Sequence, residues 1–257
     1  MPKTLAEMTT IAGPSGRRFG VLGAAGTGKT WFARTFPKVT FGNCDDKLCT
    51  GDKTVDLTKP NIQQELGIQQ GPNLQLAVIR FLQRYLRDFG PDETFVLDGI
   101  SAIEHSWHAQ ARNNPLPFMS KGDPAKGRPP EFDGFKFFRE WKGYLCALFE
   151  LLSYARCQVV VTMHEAPERD DKGNPTARVK QLLDGSFVDQ LPGKFTFFTR
   201  TLKSAGTDPK TGQFVHKMQV RPSQVFTGTI LPPGFVATTD LIDPTYDALM
   251  ALEVQKQ

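Results

Sequence analysis

Two rhythms of apolar residues alternate along this chain, and together they outline its elements. Short continuous runs mark strands: "RFGVL" (18–22), "KVTFGN" (38–43), "TFVLDG" (94–99) and "QVVVTMHE" (158–165). Runs with no polar alternation belong to parallel strands buried on both faces. Between them, apolar residues recur every three or four positions. "KTWFARTF" (29–36) reads as a helix stopped by Pro37. In "NLQLAVIRFLQRYLRDF" (73–89), Leu74, Val78, Phe81, Leu82, Tyr85 and Phe89 share one face, and Arg80, Arg84 and Arg87 lie elsewhere, on the solvated side. "ISAIEHSWHAQARNN" (100–114) and the aromatic-rich "FKFFREWKGYLCALFELLSYA" (135–155) read as helices, with the aromatics of the second assigned to the core. Late in the chain "KFTFFTRTLK" and "FVHKMQVRPS" flank the turn-rich "SAGTDPKTGQ", a β-hairpin pattern. Period two there puts Lys217 and Arg221 on one strand face. "TYDALMALEVQ" closes as a small amphipathic helix.

Three stretches break both rhythms. Residues 44–70 are polar and irregular, residues 115–134 are rich in Pro and Gly, and residues 166–193 read as a long polar loop. Long loops inside a compact domain are usually functional. In the last, Arg169, Lys172, Arg178 and Lys180 nearly balance Glu168, Asp170, Asp171, Asp184 and Asp189. Residues 1–16 form a polar lead-in, leaving 17–257 as one α/β domain without internal repeats.

Composition narrows this little. The chain has 257 residues and a formal charge of +4, which permits nucleic-acid binding without arguing for it. Cys44, Cys49, Cys146 and Cys157 show neither C-x-x-C nor a zinc spacing, and Cys146 and Cys157 fall in apolar runs as small core residues. With no membrane-length segment and no signal-peptide pattern, the expectation is a cytoplasmic protein.

The candidate chemistry sits between the first strand and the first helix. Gly23, Gly26, Gly28, Lys29 and Thr30 satisfy G-x-x-x-x-G-K-[ST], and Ala24, Ala25, Thr27 and Trp31 complete the candidate nucleotide-binding stretch. Glycines let the backbone curl so that N–H groups face phosphate oxygens; Lys29 reaches the β- and γ-phosphates, and the Thr30 hydroxyl ligates Mg²⁺. Asp98, at the carboxyl end of its strand, is the second Mg²⁺-organising group. His164 stands at the tip of "QVVVTMHE", where ligands of open α/β sheets bind; it is either a nucleotide sensor or a turn histidine.

Two features sort the P-loop classes. A strand with a polar tip follows the Asp98 strand, as in ATPases that insert a sensor strand between the P-loop and Asp strands; simple kinases and GTPases lack it. Asp98 is followed by Gly99 rather than by the acid of ring-forming AAA+ ATPases, which points to the RecA-like branch.

"GAAGTGKT", "FVLDGIS", "VVVTMHE" and "KMQVRPS", in that order, resemble the phage nucleotide-binding proteins with a RecA-like core, among them the minimal single-strand-annealing recombinases. The likeness runs from about Arg18 to Leu231. It implies a RecA-like P-loop NTPase: a mainly parallel central sheet flanked by helices, with a C-terminal antiparallel β-hairpin. It also implies ATP with Mg²⁺ and a site in the host cell cytoplasm. The implied partners are single-stranded DNA, further copies of the chain in a ring or filament, and a phage single-strand-binding or replication protein. Residues 115–134 and 166–193 would match the two DNA-facing loops. Lys217 and Arg221 would match the cations that reach a neighbour's γ-phosphate. The family places a Glu after the second strand where this chain reads "FGNCDDK"; Asp45 or Asp46 orients the water instead, with a shorter reach and slow hydrolysis in the absence of a partner. A second reading is a nucleotide-gated switch or assembly factor that binds a protein, and a third is a small-molecule or nucleotide kinase.

Overall fold

The computed structural model describes residues 16–45, 53–69, 73–122, 129–183, 187–207 and 214–253. The lead-in expected over residues 1–16 falls almost wholly outside them. The central sheet holds β1 (Arg18–Leu22), β2 (Val39–Asn43), β3 (Lys53–Asp56), β4 (Thr94–Asp98), β5 (Gln158–Met163), β8 (Phe197–Thr207), β9 (Phe214–Gln219) and β10 (Leu241–Ile242). Their order is β10-β9-β8-β1-β5-β4-β2-β3, parallel from β8 to β3, with β9 antiparallel to both of its neighbours. β5 therefore lies between the P-loop strand and the Asp98 strand, the insertion that a RecA-like layout requires.

The continuous apolar runs are explained by burial on both faces. Phe19 and Val21 of β1, Val96 of β4 and Val160 of β5 face one core, which α1 (Lys29–Arg34) and α6 (Tyr246–Met250) cover with Phe32, Ala33 and Leu249. Phe95, Leu97, Val159, Val161 and Met163 face the other, larger core. There α3 (Leu74–Tyr85), α4 (Ile100–Asn113) and α5 (Gly134–Ser153) supply Val78, Leu82, Ile103, Trp141 and Leu145. Polar side chains start two of these helices: Asn73 Oδ1 accepts from the Leu76 amide at 2.8 Å, and Asp133 Oδ1 from the Lys136 amide at 3.0 Å. Such caps contribute about 1 kcal/mol each.

Several expectations are corrected. Residues 44–70 hold β3 and α2 (Pro60–Glu65); β3 is an edge strand whose mixed polarity hid its period. Residues 166–193 are not one loop: β6 (Glu165–Arg169) and β7 (Pro175–Gln181) form an antiparallel hairpin apart from the main sheet. Its side chains are largely exposed, so no buried face imprints an alternation. At its turn Asp170 Oδ1 accepts from the Lys172 and Asn174 amides at 2.9 and 2.8 Å, and the Asn174 bonds hold that carboxyl below the usual carboxylate range. The α5 aromatics divide: Phe137, Trp141 and Phe149 are buried, whereas Phe135 and Phe138 are exposed. Cys157 is buried, but Cys146 is exposed. Among the described residues, no helix is long and apolar enough to cross a membrane.

Candidate nucleotide-binding site

The carboxyl ends of β1, β5, β4 and β2 stop level with one another, Leu22 opposite Met163 and Asn43 opposite Asp98. Over these tips the P-loop forms one wall of a cleft of about 380 Å³. Ala25, Gly26, Thr27, Gly28, Lys29, Thr30 and Trp31 line it together with Asp45, Asp98, Thr162 and His164.

The loop geometry follows from its glycines and from β8. Gly28 caps α1 at φ 89°, in the left-handed region that favours glycine. Gly23 has no room for a side chain: a Cβ there would meet the hydroxyls of Thr27 and Thr201 at 2.5 Å. Those hydroxyls lie 2.9 Å apart, and Thr201 Oγ1 donates to the Leu22 carbonyl at 3.2 Å. β8 thus braces the loop from beneath.

Lys29, 9% exposed, donates from Nζ to the carbonyls of Gly23 and Ala24, both at 2.8 Å. Those oxygens hold the ammonium folded against the loop it would share with phosphate oxygens. His164 Nδ1 is 3.5 Å from the same Nζ. The Thr30 hydroxyl donates to Asp98 Oδ2 at 3.1 Å, and the Thr162 hydroxyl donates to Asp98 Oδ1. Thr162 in turn accepts from the Gly99 amide at 2.9 Å. The His164 amide donates to Ser101 Oγ at 3.1 Å, which ties the tip of β5 to the start of α4.

A hydroxyl and a carboxylate side by side at the foot of a phosphate loop fit Mg²⁺, which takes one or two protein ligands and completes its octahedron with phosphate oxygens and water. Among the described residues, no group of three or more His, Cys, Asp or Glu side chains is placed to hold a metal. Thr30 and Asp98, in contact with each other, are the donors such an ion would use. Bound there, it would neutralise charge on the β- and γ-phosphates.

The other expected site residues are distributed unevenly. Asp45 lines the cleft, its amide donating to Asn43 Oδ1 at 3.2 Å, while Asp46 lies outside the described residues. Lys217 on β9 and the exposed Arg221 just beyond it do not line the cleft. Thr162, Arg34 and His216 line it and were not singled out from the sequence. Thr162 had a signal, a hydroxyl within "VVVTM". For His216 the β9 alternation gave only its strand face, opposite Lys217, and not its place in the cleft.

A family model described as an AAA domain matches residues 15–226. No curated protein matches the chain. Among solved structures, the RadB recombinase is 14% identical, over 83% of this chain and 84% of that one, with a TM-score of 0.39. The flagellar accessory protein FlaH from Methanocaldococcus jannaschii is 13% identical over 89% and 85%, with a TM-score of 0.37. A KaiC-like protein from Pyrococcus horikoshii is 13% identical over 89% and 85%, with a TM-score of 0.43. Likeness at that level carries no functional argument.

Proposed function

We propose that this chain, which belongs to the AAA domain family, is an ATPase that binds ATP with Mg²⁺ and acts on single-stranded DNA in phage recombination or annealing. The observation that carries the nucleotide half is the meeting of Lys29, Thr30, Asp98 and Thr162 in one cleft. In the proposed turnover Lys29 leaves its two loop carbonyls for the phosphates. Thr30 and Asp98 would hold the metal, Asp45 would orient water, and His164 would sense the γ-phosphate.

Two features support DNA as the partner. Phe132, Phe135 and Phe138 are exposed within a stretch that also carries Lys136 and Arg139 along with the acids Glu131, Asp133 and Glu140, and exposed aromatics are how single strands are stacked without sequence preference. His164 runs directly into the hairpin β6–β7, whose root is tied to the core by Glu165 and Arg200 in a two-point ion pair at 2.6 and 3.0 Å. In this reading the γ-phosphate sensor His164 directly precedes the outlying hairpin.

The switch reading keeps one observation in its favour: hairpin cations Arg169, Lys172, Arg178 and Lys180 are offset by Glu168, Asp170 and Asp171. ATPase rate with and without single-stranded DNA separates the two. The recombinase reading expects stimulation, lost in His164→Ala; tight ATP binding with a DNA-insensitive rate supports the switch. The same reading places Arg221 and Lys217 at a neighbouring copy's cleft in a ring or filament. The expectation that both lie on one strand face is corrected: Lys217 is on β9, whereas Arg221 stands two residues past the strand's end at Gln219.

A further inference from the structure

We propose that the end of the cleft away from Asp98 is a purine-base site, with Trp31 as its platform and His216 as the second ring. The proposal rests on reading the cleft as a nucleoside triphosphate site.

Trp31 directly follows Thr30 on α1, is 41% exposed, and lines a cleft whose other walls are mostly small and polar groups. Leaving an indole in water is unfavourable, and the β9 ring offers it only partial cover: Trp31 and His216 stack with centroids 6.2 Å apart at 27°. His216 is held there firmly. Its amide donates to Asp243 Oδ1 at 3.0 Å, and its carbonyl accepts from the Asp243 amide at 2.8 Å. Asp243 has φ 42°, a left-handed conformation unfavourable for a residue with a side chain, maintained by this pairing. The imidazole lies so close to the P-loop that a Cβ on Gly28 would be 2.9 Å from its Cγ and Nδ1. That Nδ1 is buried and has no hydrogen-bond partner among the described residues.

The nucleotide reading gives the bound molecule a direction. Asp98, Thr162 and His164 gather beside Lys29 and Thr30, where the metal and terminal phosphate would lie. The nucleoside must then leave the P-loop at the opposite end, past Gly28 and Trp31. An exposed indole backed by a flat imidazole fits a heteroaromatic base, which stacks on the indole while His216, packed against Gly28, holds that ring in place. A purine overlaps an indole over two fused rings, a pyrimidine over one, so the geometry favours purines.

The test compares ATP, CTP and inorganic tripolyphosphate, each with Mg²⁺, on wild type, Trp31→Ala, Trp31→Phe and His216→Gln, by calorimetry. Expected is tighter binding of ATP than of CTP or tripolyphosphate by wild type. Trp31→Ala should lose about tenfold to a hundredfold in ATP affinity, the usual contribution of one base–aromatic stack. Its tripolyphosphate affinity should stay within about twofold, Trp31→Phe should regain most of the loss, and His216→Gln should weaken ATP but not tripolyphosphate. Equal losses for ATP and tripolyphosphate would show that Trp31 merely shapes the loop, and that overturns the base site. So does unchanged ATP affinity in Trp31→Ala, or equal affinity of wild type for ATP and tripolyphosphate. If wild type binds neither ligand, the nucleotide reading itself fails, and the base site with it.

Discussion

At the phosphate end of the cleft, Asp98, Thr162 and His164 stand at or just beyond strand tips that parallel register brings level, and the P-loop carries Lys29 and Thr30, the first residues of α1, over them. At the other end Trp31 on α1 and His216 on β9 come from elements far apart in the chain, and their ring contact leaves a partly covered indole and a ring nitrogen with no hydrogen-bond partner among the described residues. The phosphate end is closely knit, each of its side-chain oxygens and nitrogens named here lying within 3.5 Å of another polar group. Tight networks hold charge in place. Looser aromatic surfaces accept a flat ligand. The difference separates chemistry from selectivity.

Neither end accounts for a cation that approaches the γ-phosphate from outside. Among the described lining residues the arginine is Arg34, one turn beyond Trp31 on α1, whereas Arg221 is exposed and away from its own cleft. If Arg221 serves a neighbour, Arg221→Ala lowers turnover on the order of a thousandfold, the usual effect of a finger supplied in trans. Mixing Arg221→Ala with Lys29→Ala subunits should then restore part of the ATPase rate, because some interfaces pair an intact P-loop with an intact finger. No rescue, with a monomeric mass in ATP, removes the shared site.

Within the phosphate end, Asp98→Asn removes the anion that receives both the Thr30 and Thr162 hydroxyls. Turnover should fall by about a hundredfold or more, as when one preorganised electrostatic group is lost, with ATP affinity changed far less. Lys29→Ala should instead abolish measurable binding. Were Asp98→Asn to turn over normally, Asp98 would be a strand-end residue with no part in the chemistry, and the comparison between the two ends would lose its basis.

This contrast also marks what the sequence made legible. The P-loop, the Asp98 strand and the polar tip at His164 are local patterns, since a continuous apolar run followed by a polar residue is a strand tip wherever it occurs. The sheet core was legible for the same reason, Val159, Val160 and Val161 being apolar because both faces are covered. β6–β7 was not: with exposed flanks, nothing selects an alternation. Nor was the place of His216 in the cleft, because it depends on the pairing of Lys203 with His216 and on the bond to Asp243, contacts that no spacing along the chain reveals. In α5, helical period and aromatic content identified the element, but Phe135 and Phe138 were assigned to a core they do not enter.

The two ends are linked through the Glu165–Arg200 pair. Glu165 follows His164, and Arg200 lies on β8, which leads to β9 and His216. Their side chains are only 13% and 10% exposed, so removing one charge strands the other. Glu165→Gln should lower stability by about 3 kcal/mol, measured as a shifted urea midpoint with unchanged slope. Replacing both residues by apolar ones of similar size should recover much of that loss. A midpoint that does not move in the single variant would mean that the hairpin root is held by other contacts.

The smallest effect is a thiol chemistry that reports the phosphate end without disturbing it. Cys44 directly follows β2, its amide donating to the Asp98 carbonyl at 3.0 Å, and burial pushes its thiol well up, with the carboxylates of Asp98, Asp56 and Asp45 adding to the shift. Burial likewise pushes Cys157 up to about 11, and Cys146 is exposed on α5. A raised thiol pKa leaves the neutral, unreactive form below it and yields thiolate only as pH rises toward it. At pH 7.5, iodoacetamide should therefore modify Cys146 at least about a hundredfold faster than Cys157 or Cys44 in the folded protein, and all three alike in urea, as read by peptide mass. Raising the pH to about 9 should narrow the gap for Cys157 only as far as access allows, because the thiol stays buried as well as neutral. Rapid labelling of Cys44 alongside Cys146 would mean that the tip of β2 opens readily, so that the phosphate end is the looser of the two and the proposed division between them is reversed.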